Sequence, residues 1–148
     1  MTEQYDIAAG RHHRVAEHLA ARGEIDDAAY HYGLVGENAL KHALRKSGVA
    51  TAWDLAGKKP KTTPMGKHLP PLTAEIQTFM HDIHLHAFGR IGGRLQAVVH
   101  DPNFVGLFQG WSIDIRYADN QCTPVDPGDC QRWGQDADLI LRRLVLMI

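Results

Sequence analysis

EIDDAAYHYGLVGENALKHALRK, residues 24 to 46, decides how the rest of the chain is read. Ile25, Ala28, Tyr32, Val35, Ala39 and Ala43 recur at intervals of three and four, the period of one helix face, and Gly48 follows as a stop signal. The stretch therefore predicts a long amphipathic helix from about Glu24 to Lys46. Upstream, Tyr5, Ala8, His12, Val15 and Leu19 repeat the same spacing, with Thr2 as the expected cap and Gly23 as the expected end. Two long helices joined by one glycine fold back on each other.

Downstream the pattern changes. Residues 48 to 72 carry four Lys and four Pro with no sustained period, which predicts one long loop with a short helical turn around Trp53. Thr73 then caps a third helix whose face runs Ile76, Phe79, Ile83 and Ala87 and continues through Phe88, Ile91, Leu95 and Val98. Gly89, Gly92 and Gly93 inside that stripe predict a kink or a close helix contact, and Asp101-Pro102-Asn103 ends it. In FQGWSIDIRY, residues 108 to 117, Trp111, Ile113, Ile115 and Tyr117 alternate with Ser112, Asp114 and Arg116, the spacing of an extended segment. A last helix from about Asp129 to Ile148 uses Trp133, Ala137, Ile140, Leu144 and Met147. The expected fold is all-α: one domain over residues 1–148, an up-and-down bundle of four to five helices with one long loop at about 48–72. The apolar ending LVLMI calls for a cover, either the body of the domain, a second subunit or further sequence.

Composition narrows the class. Sixteen Lys and Arg against 17 Asp and Glu leave a net charge of -1, so any contact with nucleic acid must come from a local patch. Cys122 and Cys130 are too few for a disulfide framework and have no second pair to complete a metal cage, which fits a reduced, cytoplasmic chain. The N-terminus places acidic residues where a signal peptide needs an apolar stretch, and no run approaches the ~20 apolar residues of a spanning helix, so no membrane role is expected.

The order of motifs carries a resemblance. Gly36 and Glu37 followed by Leu40-Lys41, then His68-Leu69 and Leu72 after the loop, then Trp111 with Arg116-Tyr117 before the last helix, together resemble the HEPN domain. This is a helical-bundle family of toxin pairs, phage defence and CRISPR-linked ribonucleases. The likeness spans roughly residues 8 to 148. It implies a homodimer, action on RNA without a cofactor or metal, and, in non-catalytic members, binding of a nucleotide, a nucleic acid or a partner protein such as a nucleotidyltransferase. It also suggests a structural latch in which the Arg116 guanidinium turns towards Glu37 while Tyr117 enters the core.

Catalytic members of that family resemble metal-independent ribonucleases built on an Arg, four to six residues, then a His. The Arg offsets charge on the phosphorane and the His moves the proton of an attacking ribose hydroxyl. Arg94 with His100 and Arg11 with His18 satisfy the spacing, but a chain this rich in both residues produces about two such pairs by chance. Arg94 and His100 are taken as the better acid/base candidate, with Lys41 and Arg116 as phosphate contacts; the competing reading is a surface Arg and a helix-ending His that meets the last carbonyls. His12 reads as a hydrogen-bonded core His. His81 and His84 are neighbours at i, i+3 and Asp82 and His86 pair at i, i+4, but the two pairs point to different sides of the helix and read as solvated or partner-facing rather than as metal ligands. Glu37 and Lys41 also read as an ordinary i, i+4 salt bridge. Lys58, Lys59, Lys61 and Lys67 could track a phosphate backbone with Trp53 as a stacking face, or simply keep a mobile loop soluble.

Overall fold

The computed structural model describes residues 4–117 and 124–148, with the backbone alone at Arg116 and Tyr117. The described residues form seven α-helices and no strand: α1 Tyr5–Ala21, α2 Ile25–Lys46, α3 Val49–Leu55, α4 Pro71–Thr78, α5 Met80–His86, α6 Gly89–His100 and α7 Pro127–Ile140. Short 3-10 turns lie at Pro60–Thr62, Pro64–Gly66, Phe104–Gly106 and Ile113–Tyr117, and α7 runs on into a π-helical turn, Leu141–Leu146. The all-helical expectation holds, with seven helices in place of four to five.

The α1–α2 corner follows from Gly23. Its φ of +77° closes a turn in which the Gly23 amide donates to Ala20 and the Glu24 amide to Leu19, satisfying carbonyls that end α1. α1 then returns along α2, but its buried positions are Ala9 and Ala16, while Val15 is exposed. Tyr5, Ala8, His12 and Leu19 of the expected stripe are half-buried along the edge of that contact, and Val15 alone of the stripe is exposed. The expected cap Thr2 lies outside the described residues.

α2 is the central rod, with α1 on one side and α6, α7 and the 104–117 segment on others. Besides the predicted Ala28, Tyr32, Val35, Ala39 and Ala43, it buries Gly33, Gly36, Leu40 and Leu44. The two glycines seat aromatic rings: a Cβ on Gly33 would collide with the Trp111 indole, and one on Gly36 would lie 2.4 Å from the Phe108 ring. Trp111 Nε1 also donates to the Ala29 carbonyl at 2.8 Å, so the indole meets both its apolar and its polar needs on α2.

Three expectations are corrected. The long loop does carry a short helix around Trp53, α3, but the Trp53 ring is buried and its Nε1 donates to Asp82 at 2.9 Å, so it is no stacking face. The single third helix is three helices, α4, α5 and α6, with turns at Phe79 and at the extended residues Ala87 and Phe88. The stripe reads as continuous because all three turn Ile76, Ile83, Ile91 and Leu95 to the same core. The alternating stretch 111–117 is not extended. The Ser112 hydroxyl accepts the Asp114 amide and the Ser112 carbonyl accepts the Ile115 amide, which winds Ile113–Tyr117 into a 3-10 turn.

Burial of imidazoles gives the fold a pH dependence. His12 on α1 and His31 on α2 meet Nδ1 to Nδ1 at 2.9 Å, one donating and the other accepting. Burial holds both, and His42, below the ordinary histidine value of 6.5, and His31 adds to the lowering at His12. The unfolded chain therefore takes up protons near pH 6.5 that the folded chain refuses, and stability present above pH 6.5 is lost as pH falls. Burial raises the Asp136 carboxyl from 3.8, which acts with the opposite sign, its contribution being lost as pH rises through the folded value. Urea melts should give a lower midpoint at pH 5 than at pH 7.5, with a smaller difference in His31→Gln; equal midpoints in the wild type would overturn this account.

Candidate functional site

The chemistry-bearing residues of the second helix converge with the loop that precedes α4. Leu69 and Leu72 are buried and anchor that loop, while the Leu72 amide donates to the His68 carbonyl at 2.9 Å. Gly66 lies so close to the Lys61 backbone that a Cβ there would meet the Lys61 Cα at 2.5 Å, which holds the wall in place. His68 is thereby carried to Glu37, thirty-one residues earlier in the chain.

Glu37 is the hub. Its side chain is 9% exposed, and its carboxylate meets Lys41 Nζ at 3.4 Å, His68 Nδ1 at 3.0 Å and the Leu69 amide at 3.3 Å. Lys41 is buried to the same degree, so the pair is desolvated and each charge needs the other. The His68 ring is 59% exposed, and with Nδ1 turned to the carboxylate its Nε2 is left without a partner among the described residues. A cleft of about 830 Å³ opens in front of these groups, bounded by Tyr5, Ala8 and Arg11 of α1, by Glu37, Asn38 and Lys41 of α2, and by Met65, Gly66 and His68. Arg11 stands exposed at its rim with no ion pair among the described residues. Among the described residues the geometry supplies an oriented imidazole, an exposed cation and a buried cation around a space at the upper end of small-ligand sites.

Arg94 and His100 are not brought together within one chain. They sit six residues apart on α6, which is about 9 Å along the axis and roughly a third of a turn apart in direction. Arg94 is half-buried and donates to the Met147 carbonyl at 3.1 Å, while His100 is exposed at the helix end. His18, two turns beyond Arg11, does not line the cleft. The latch of Arg116 on Glu37, with Tyr117 in the core, lies outside the described residues, as does Cys122. His81, His84 and His86 are exposed, Asp82 is engaged by Trp53 and by Lys58 at 3.7 Å, and no group of three or more metal-binding side chains is found among the described residues. Cys130 is buried, and burial raises its thiol further above its ordinary value.

The sequence motifs single out Glu37, Lys41 and His68 one by one, and Arg11 only by its spacing to His18. No helix among the described residues is long and apolar enough to cross a membrane. No family model, curated protein or solved structure matches the chain.

Proposed function

We propose that the protein is a HEPN-like module that acts on RNA without a metal ion, in the cleft between α1, α2 and the 65–68 wall. The observation that carries this reading is the convergence of Arg11, Lys41 and the Glu37-oriented His68 on one open cleft. The wall belongs to the segment bearing Lys59, Lys61 and Lys67, a local basic feature on a chain of net charge -1 that suits a phosphate backbone. His68 Nε2 takes the proton of a ribose 2′-hydroxyl, and the 2′-oxygen bonds to phosphorus as the bond to the 5′-oxygen breaks. The leaving oxygen is protonated by solvent, to which His68 returns its proton, while Arg11 offsets charge on the phosphorane. The motif resemblance, taken with this reading, extends the proposal to a homodimer of toxin or defence type, with a nucleotidyltransferase-type partner in its non-catalytic form.

The second reading, a non-catalytic module that binds RNA or a nucleotide, is favoured by the burial of Lys41, whose ammonium is spent on Glu37. Two measurements separate them. Short 2′-O-methyl RNA should bind with a salt dependence, and Arg11→Ala should lower the slope of log affinity against log salt by about 0.7, one phosphate contact on a single strand. Unmodified RNA should be cleaved in EDTA to cyclic-phosphate ends, roughly 100-fold or more slowly in His68→Ala. Binding without cleavage selects the second reading, and a folded protein that does neither overturns both.

A further inference from the structure

We propose that the hollow between α6 and α7 is a binding site for a compact amphipathic anion, a single ring or branched alkyl group carrying a carboxylate. It shares no lining residue with the α1–α2 cleft and goes beyond the RNA reading. The hollow measures about 180 Å³ and has an apolar floor, in which Phe104 is 1% and Leu107 9% exposed. Val98 of α6 and Leu139 of α7 form its sides. An apolar cavity of about 150 Å³ accommodates benzene, so one ring fills this space and its substituent reaches the mouth.

The mouth is cationic. Arg94 and Arg143 both line it and both line an adjoining hollow of about 340 Å³, so a head group at the boundary of the two meets both guanidinium groups. Neither has a carboxylate partner among the described residues, whereas the neighbouring Arg142 is paired with Asp138 at 3.2 Å. Arg94 gives one Nη to the Met147 carbonyl and keeps the rest of its fork. A guanidinium fork matches a carboxylate in shape and charge. Asp101 also lines the hollow and disfavours an anionic head beside it, so the head is directed to the two guanidinium groups.

The test titrates the full chain with benzoate, with benzyl alcohol as the neutral analogue and with acetate as the head alone, following affinity and backbone amide shifts. Benzoate should saturate with shifts at Val98, Phe104, Leu107 and Leu139, and the other two should bind about tenfold or more weakly. Arg143→Gln, a change at an exposed position, should weaken benzoate about tenfold and leave benzyl alcohol unchanged. Equal affinity for benzoate and benzyl alcohol, absence of saturation at millimolar benzoate, shifts confined to other elements, or an Arg143→Gln variant that binds as the wild type does would each overturn the proposal.

Discussion

Trp111→Ala is expected to destabilise the protein by about 3 to 5 kcal/mol, the range for emptying a large aromatic site in a core that only partly collapses. The indole is 1% exposed, rests on the bare backbone of Gly33 and donates to the Ala29 carbonyl, so truncation removes packing and a hydrogen bond together. At roughly 2 to 4 °C per kcal/mol for a chain of this size, the thermal midpoint should fall by about 10 °C. A circular-dichroism melt checks it. A fall of less than about 3 °C would mean that α2 does not depend on the 104–117 segment for its burial.

Glu37→Ala is expected to cost a similar amount, about 3 to 5 kcal/mol, for an electrostatic reason. Lys41, whose side chain is 9% exposed in the native fold, would lose its carboxylate partner, and the Leu69 amide and His68 would lose their acceptor. The double variant Glu37→Met/Lys41→Met removes both charges and keeps the volume, so it should recover much of that loss. Denaturant melts of the two variants decide the matter. If the double variant is no more stable than Glu37→Ala, the loss is one of shape rather than of a stranded charge.

The bundle was legible where a helix presents a repeating face to one core. The positions read from residues 24–46 lie in α2, and Trp133, Ala137, Ile140 and Leu144 of the last helix are buried as expected. Periodicity reports which way side chains face, not whether the backbone is continuous, so α4, α5 and α6 read as one. Alternation at 111–117 mimicked a strand because Ile113 and Ile115 turn partly inward; without a neighbouring strand among the described residues, the Ser112 turn decides the backbone. The site was half legible. Glu37 and Lys41 declare themselves as an i, i+4 pair, but nothing in local spacing shows that His68 returns to the same carboxylate. That meeting depends on Leu69 and Leu72 entering the core, a tertiary event. Trp53 illustrates the converse: among lysines it looked available, yet Asp82 and Phe79 claim it from α5 and the turn before it.

The paired notches that Gly33 and Gly36 cut in α2 also bear on what can be inserted or deleted nearby. One added residue between them would swing the second notch by about 100° around the helix, and the Phe108 ring would then face a side chain instead of a gap. Three residues is close to a full turn, so both notches open nearly in line, and the two rings work like teeth in a single rack. In this short interval the indexing between α2 and the 104–117 segment therefore admits one alignment.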